Sequence, residues 1–151
     1  MREHLLERTQ LVPASPEAVF PFFADAFNLE AITPPWLNFR VITPRPIEMG
    51  LGALIEYRLS LHRVPVSWLT RIEEWQPGRS FVDAQIRGPY RLWHHTHTFE
   101  EAHGGTLVRD RVRYALPLGA LGEVAHRAFV ARDLHRIFDH RQSEIARRFT
   151  K

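Results

Sequence analysis

The sequence predicts an α+β fold in which a curved antiparallel sheet of about seven strands grips a long C-terminal helix, with two short helices after the first strand. Three observations predict it. Apolar and polar residues alternate through the middle of the chain, short turn-forming segments separate these stretches, and beyond Leu118 the apolar residues recur at helical spacing. Short connections between consecutive strands favour antiparallel pairing. The apolar stripe of the last helix must be covered, and the sheet is the only element large enough to cover it.

The N-terminal part of the chain predicts one strand and two short helices. Residues 5–12 alternate imperfectly and are expected to form the strand. Ser15 is a favourable N-cap, and Pro16 suits the first position of the helix that follows. Apolar residues at helical spacing over 18–27 predict the first helix. Residues 29–32 predict a second short helix, which a pair of prolines ends.

Six further strands are predicted by their alternation: 37–43, 53–61, 64–75, 81–87, 91–101 and 106–116. The final helix would have about 28 residues and a length of about 42 Å. A straight helix and a curved sheet do not fill each other completely. The gap between them is therefore predicted to be a cavity, which is the natural ligand site of such a domain.

Composition bounds the class of protein. The 151 residues suit a single domain over 1–151, and 44% hydrophobic with 25% charged residues is typical of a globular protein. Cysteine is absent, which excludes disulfides, thiolate metal sites and cysteine nucleophiles. The sequence has no run of 18 apolar residues, and its charged start does not resemble a secretory signal. We therefore expect no membrane span and a cytoplasmic location.

The distribution of charge argues against nucleic-acid binding. The net charge is +3, and because Lys151 is the only lysine among 20 cationic residues, 19 are arginine. These arginines are scattered along the chain, whereas a nucleic-acid-binding surface needs them clustered on one element.

The strand over 91–101 carries an unusual set of side chains. Its alternation places four residues on one face, Trp93, His95, His97 and Phe99. Because the aromatic residues lie at both ends of this set, we assign it to the concave, helix-facing side. In the next strand three arginines alternate and are expected to face water. The opposite face, with Asp110 and Tyr114, is therefore expected to point inward.

The hairpin between these two strands predicts a specific pair. A four-residue loop over 102–105 would pair Glu101 with Thr106, which places His97 opposite Asp110. Directly opposed residues have Cβ atoms about 4.5–5.5 Å apart. We therefore predict a partly buried His97–Asp110 hydrogen bond, with the imidazole charged or strongly oriented by the acid.

Three interpretations of the histidine strand stay open. The polar pair could be structural, it could orient an otherwise apolar ligand, or it could take part in catalysis or metal binding. His95 and His97 share a face, as zinc-binding or copper-binding pairs do, and Asp110 or Asp83 could supply a third ligand. Two histidines are too few for a metal site and nothing in the spacing demands the third, so we predict no metal and no cofactor.

The chain resembles the SRPBCC superfamily, the helix-grip group that includes START lipid-transfer domains, birch-pollen-allergen-like proteins and polyketide cyclases. The resemblance rests on Ser15-Pro-Glu-Ala-Val-Phe with Asp25 and Asn28, on Trp68-Leu-Thr-Arg-Ile, on Phe81-Val-Asp and on the long final helix. The run from Arg87 to Glu100 further resembles a bacterial subgroup of largely uncharacterised members. The resemblance implies the fold and a cavity for an apolar ligand. It implies no single activity, because the scaffold carries binders, transporters and cyclases.

The direction of Asp83 and Gln85 depends on the turn that follows their strand. A three-residue turn at Gly88-Pro89 points both into the cavity, whereas a two-residue turn points Val82, Ala84 and Ile86 inward. The resemblance to the bacterial subgroup favours Asp83 and Gln85.

The predicted function is binding of a small hydrophobic or amphipathic molecule between sheet and helix. The expected walls are Tyr57, Trp68, Trp93, Phe99 and Tyr114, and the expected polar anchors are Asp83, Gln85, His95, His97 and Asp110. The alternative is a cyclase, aromatase or dehydratase in which His97, oriented by Asp110, removes a proton next to a carbonyl. A homodimer is possible. Histidines on the final helix, including His126, are expected at its surface or edge.

Overall fold

The computed structural model describes residues 2–150 and has the predicted α+β architecture. The strands are β1 His4–Val12, β2 Arg40–Val41, β3 Leu54–Leu61, β4 Val64–Gln76, β5 Ser80–Arg87, β6 Leu92–Ala102 and β7 Gly105–Ala115. The helices are α1 Pro16–Ala24, α2 Asn28–Ile32, α3 Gly119–Ala125 and α4 Ala131–Arg148.

The seven strands form one antiparallel sheet in the order β1-β7-β6-β5-β4-β3-β2. Two register shifts interrupt the pairing of β4 with β5, between Leu69 and Thr70 and between Ile72 and Glu74. Such irregularities bend a strand and increase its twist. They are therefore expected to help the sheet to curve around α4.

The C-terminal helical stretch has 30 residues, in agreement with the predicted long helix. A π-helical turn over His126–Val130 joins α3 to α4. The side chains that α4 buries follow helical spacing: Leu134, Phe138, Arg141 and Ile145. Each of the three apolar side chains contributes roughly 1.5–3 kcal/mol by leaving water. Arg141 is the charged member of this otherwise apolar stripe.

Two local predictions are wrong. The strand expected over 37–43 pairs only at Arg40–Val41, because a 3-10 turn over Pro35–Leu37 and a positive φ of 48° at Asn38 keep the chain out of extended conformation. Asparagine tolerates this left-handed conformation better than most residues. The first helix ends at Ala24 rather than near residue 27, since the Asp25 carboxylate accepts a hydrogen bond from the Phe27 N–H at 3.0 Å and begins a new turn.

The described helices include none long and apolar enough to cross a membrane. The cytoplasmic location and the homodimer stay predictions.

Candidate functional site

A cavity of about 170 Å³ lies between the concave face of the sheet and α4. The short helix α2 and β3 close its sides, and most of its lining is apolar. Representative lining residues are Ile32, Leu59, Ile72, Leu134 and Phe138. The sheet–helix gap that the sequence predicts is thus present, and it has one aromatic end and one polar end.

The aromatic end consists of Trp68, Trp93 and Tyr90. The Trp68 and Trp93 rings meet edge to face, with centroids 5.2 Å apart, and Tyr90 lies 4.9 Å from Trp93. Trp68 Nε1 donates a hydrogen bond to Thr70 Oγ1 at 3.0 Å, so its one polar atom is satisfied. Tyr57 also lines the cavity, and burial together with the nearby Asp83 carboxylate raises the pKa of its phenol. This end offers ring faces and edges to an apolar molecule.

The polar end is built on β6, and the predicted hairpin register is confirmed. His97 pairs with Asp110, and His95 pairs with Val112. The His95 and His97 imidazoles stack with centroids 3.6 Å apart. They lie between two carboxylates, Asp83 from β5 and Asp110 from β7.

The hydrogen bonds of this cluster cross the strands diagonally, so the predicted His97–Asp110 bond is wrong. His95 Nε2 donates to Asp110 Oδ1 at 2.8 Å, and His97 Nε2 donates to Asp83 Oδ2 at 2.5 Å. His97 Nδ1 lies 3.5 Å from Asp110 Oδ1 without a hydrogen bond to any described residue. Register fixes which Cβ atoms are opposed, but an imidazole is long enough to reach the diagonal neighbour.

Burial and charge set the protonation of the cluster. Burial lowers the pKa of His97 to about 4, aided by the neighbouring His95 imidazole and only partly opposed by the hydrogen bond to Asp83. At neutral pH the His97 imidazole is therefore uncharged. The His97 imidazole is therefore oriented by Asp83 and not, as predicted, by Asp110, and neither carboxylate keeps it charged.

Both carboxyl groups are ionised. For Asp110, burial would raise the pKa, but the Arg141 guanidinium and the hydrogen bond from His95 outweigh burial and lower it. For Asp83, burial would also raise the pKa, but the interaction with the neighbouring His95 imidazole and the hydrogen bond from His97 outweigh burial and lower it.

Arg141 completes the polar end, and the sequence analysis missed it. It is 9% exposed, it lines the cavity, and its Nη2 lies 3.6 Å from Asp110 Oδ1. Its Nε and Nη2 are buried without a hydrogen-bond partner among residues 2–150. A signal existed, since Arg141 follows Phe138 by three positions and precedes Ile145 by four, which places it on the apolar face of the helix.

A family model described as polyketide cyclase / dehydrase and lipid transport matches residues 12–140. The chain belongs to this family. Among curated proteins the search finds no match. The predicted SRPBCC resemblance is confirmed.

Solved structures show that this member of the polyketide cyclase / dehydrase and lipid transport family shares its fold with diverse proteins. The Zhui aromatase/cyclase from Streptomyces sp. R1128 aligns with a TM-score of 0.76 and 15% identity, covering 96% of this chain and 92% of that one. A START superfamily protein from Mycobacterium smegmatis gives 0.68 and 14% identity, with 97% of each chain covered. The ginseng major latex-like protein 151 gives 0.71 and 10% identity, with 99% of each covered. At these identities the similarity concerns the fold.

In this family member, six of the ten residues expected at the ligand site line the cavity: His97 and five others. The five others are Tyr57, Trp68, Asp83, Trp93 and His95. The remaining four, Gln85, Phe99, Asp110 and Tyr114, lie elsewhere.

Gln85 is the clearest of these corrections. Its side-chain amide accepts a hydrogen bond from the Tyr90 N–H at 3.0 Å and donates to the Tyr90 carbonyl at 2.7 Å. A Cβ added at Gly88 would lie 2.6 Å from Gln85 Oε1, so the turn folds tightly over the amide. Gln85 therefore holds the β5–β6 turn that positions Tyr90.

The other three lie behind or beside the cavity. Phe99 packs against Phe20 and Phe23, with centroids 5.2 and 5.3 Å away. Asp110 does not line the cavity; it lies next to both imidazoles and accepts a hydrogen bond from His95. The Tyr114 hydroxyl is hydrogen-bonded to His126 Nε2 at 2.8 Å, outside the cavity.

Asp83, His95 and His97 offer three ligating atoms within 4.8 Å of one another. Each Nε2, however, already donates to a carboxylate, and Arg141 places a positive charge beside them. The three residues are therefore better suited to form the two His–Asp hydrogen bonds than to bind a metal cation.

Proposed function

We propose that this protein binds a small amphipathic molecule in the sheet–helix cavity. The apolar body of the molecule would lie against Trp68 and Trp93, and its polar end would lie against His97 and Arg141. The observation that carries the proposal is the buried Arg141 guanidinium, at one end of a mostly apolar cavity. It forms an ion pair with Asp110, but its Nε and Nη2 make no hydrogen bond to any described residue.

The two Arg141 nitrogens without a hydrogen bond to a described residue define the chemistry of the polar end. A guanidinium only donates hydrogen bonds, so its complement is an acceptor such as a carbonyl oxygen. Leaving a buried donor unsatisfied costs about 1–3 kcal/mol, and a ligand oxygen would recover this free energy. Trp68 differs in this respect, since its donor is already satisfied by Thr70.

The size of the cavity limits the ligand. An engineered apolar cavity of about 150 Å³ is known to bind benzene. A cavity of about 170 Å³ therefore suits a molecule of one or two small rings. Such a ligand would fill the space between the tryptophans and the polar end.

A matched pair of ligands tests the proposal. Indane and 1-indanone have the same ring skeleton and differ by one carbonyl oxygen. We expect both to quench the fluorescence of Trp68 and Trp93, and 1-indanone to bind about tenfold more tightly because its oxygen accepts from Arg141, a hydrogen bond to a charged group. In Arg141→Met the two ligands should bind equally. Failure of both ligands to bind at their solubility limit would contradict the proposal.

A cyclase-type or dehydratase-type enzyme is the second candidate, and one observation favours it. Because His97 Nε2 donates to Asp83, the lone pair of the neutral ring is on Nδ1, which makes no hydrogen bond to a described residue. This nitrogen could take a proton from the carbon next to a ligand carbonyl, while Arg141 stabilises the enolate oxygen.

Exchange of the C2 protons of 1-indanone in D₂O, followed by NMR, would test this second candidate. An enzyme should accelerate the exchange, and His97→Gln should abolish the acceleration while 1-indanone still binds. His94→Gln on the opposite face of β6 is the matched control. Exchange no faster than in buffer would reject catalysis of this kind without affecting the binding proposal.

A further inference from the structure

A second group of metal-ligating side chains lies outside the cavity, where β1 meets α3. His4, Glu123 and His126 each offer a ligating atom, and these atoms lie within 4.8 Å of one another. The His4 and His126 imidazoles stack with centroids 3.6 Å apart, and His4 Nε2 lies 2.9 Å from Glu123 Oε1. Two imidazoles and one carboxylate form a donor set that zinc and its neighbours prefer.

The helix places two of these ligands by its own geometry. Glu123 and His126 are three positions apart, so they share one face. The same Glu-x-x-His spacing directs ligands to metal ions in carboxylate-rich helical bundles. A π-helical turn begins at His126, and such turns are frequent at functional sites.

Gly122 allows α3 to pack closely against residues 116 and 117, which directly follow β7. A Cβ at this position would lie 2.2 Å from the Pro117 carbonyl oxygen, so the helix lies closer to the end of β7 than any other residue would permit. His4 is opposed to Tyr114 of β7 and is held below the helix by strand pairing.

Tyr114 supplies the outer support that metal-binding histidines commonly have. Its hydroxyl is hydrogen-bonded to His126 Nε2 at 2.8 Å, which orients the ring and leaves Nδ1 for a ligand bond. The Tyr114 ring in turn lies 6.2 Å from Trp93 of the cavity wall. An ion at this site would therefore be connected to the aromatic end of the cavity through one side chain.

We propose that His4, Glu123 and His126 bind a divalent transition-metal ion of the zinc type, with water as the remaining ligand. The ion would replace the proton between His4 Nε2 and Glu123 Oε1. Two ligand atoms of a tetrahedral zinc site are about 3.4 Å apart, so the 2.9 Å contact need open only slightly.

The site is open enough for an ion to enter. The side chains of His4 and Glu123 are 13% and 22% exposed. Arg2 Nε lies 3.9 Å from Glu123 Oε2 and is the competing cation, but its side chain is 74% exposed and free to turn into water. Because the ion would link the start of β1 to α3 in the folded protein only, we expect it to raise the melting temperature.

Titration of the tag-free, EDTA-treated full chain with Zn²⁺ in a calorimeter tests this proposal. We expect one ion per chain, bound at micromolar concentration or tighter. Cobalt(II) bound at the same site should show the intense visible absorption of tetrahedral coordination. His4→Ala, Glu123→Gln and His126→Ala should each weaken zinc binding more than tenfold, and Tyr114→Phe up to about tenfold.

Two controls separate this site from other histidines. His103→Ala changes a histidine of the β6–β7 hairpin loop, and His97→Gln changes the cavity cluster. Both should bind zinc as the unaltered protein does. Zinc binding that survives His4→Ala and His126→Ala, or that is lost in His97→Gln, would overturn the proposal, as would no binding at all. The melting temperatures of the metal-free variants show whether each still folds.

Discussion

The protein contains two stacked pairs of imidazoles with the same spacing and very different surroundings. In the inner pair, His95 and His97, the centroids are 3.6 Å apart, and in the outer pair, His4 and His126, the distance is also 3.6 Å. The inner rings are buried, each donates to its own carboxylate, and a guanidinium lies beside them. The outer rings are partly exposed and share one carboxylate.

This difference shows that stacking geometry does not determine what a histidine pair can do. Burial and the number of carboxylates decide which chemistry is available. The inner pair has its Nε2 protons committed to hydrogen bonds and suits the polar end of a ligand cavity. The outer pair has one shared carboxylate and access to solvent, and it suits an exchangeable cation.

The largest expected effect is on stability, from removing an inner carboxylate. Asp110→Asn leaves Arg141 buried without its counter-ion, although the amide oxygen still accepts from His95. Breaking a buried charge pair in this way costs about 3 kcal/mol. Urea denaturation measures the change in unfolding free energy. Glu123→Gln, beside the outer pair, should lower the unfolding free energy far less. Equal losses in the two variants would contradict the contrast between the two pairs.

The inner histidine should also make stability depend on pH. The folded pKa of His97 is about 4, below the ordinary 6.5, so the unfolded chain binds a proton that the folded chain does not. The contribution of His97 to stability should therefore be complete above pH 6.5 and fall by up to about 1.4 kcal/mol per pH unit as the pH drops toward 4. His97→Gln should reduce this slope, measured by denaturation at a series of pH values. An unchanged slope would contradict the burial argument.

The inner carboxylates act in a lower pH window. The pKa values of Asp83 and Asp110 are lowered in the folded state, so their stabilisation is present above the ordinary carboxyl range and is lost as pH falls below about 4. Asp83→Asn should flatten the acid limb of the stability curve. A curve that keeps the same acid limb would show that Asp83 is not held ionised by its neighbours.

The smallest expected effect on stability comes from the support of the outer pair. Tyr114→Phe removes the hydrogen bond to His126 while keeping the ring against Trp93, which should lower the unfolding free energy by about 0.5–1.5 kcal/mol. Thermal unfolding measures it, and Tyr90→Phe is the matched control because Tyr90 also packs on Trp93. A larger loss in the control than in Tyr114→Phe would mean that the hydrogen bond is unimportant.

The sheet and the long helix were predictable because hydrophobic periodicity reports burial directly. The His97–Asp110 register was predictable too, since a short hairpin loop and the inward face of each strand leave few alignments. The hydrogen-bond partners of His95 and His97 were not predictable from the sequence, because the imidazoles bond to diagonal neighbours and Asp83 lies on a third strand. Such a choice depends on side-chain torsions that the order of residues does not show.

The sequence analysis misplaced Gln85 and missed Arg141 for different physical reasons. The Gln85 side chain bonds to the Tyr90 backbone in the turn after β5 instead of entering the cavity. The alternation of apolar and polar residues does not specify the conformation of such a turn. Arg141 has the spacing of a core position, but an arginine normally extends its charge to water. Its burial depends on the ion pair with Asp110 and on the Phe23 and Phe138 rings beside the guanidinium, which come together only in the folded structure.

A crystal structure of the protein with 1-indanone tests the central claim most directly. We predict the rings between Trp68 and Trp93 and the carbonyl oxygen within about 3 Å of Arg141 Nε or Nη2. A ligand bound only at the protein surface, or an oxygen directed away from the guanidinium, would contradict the account.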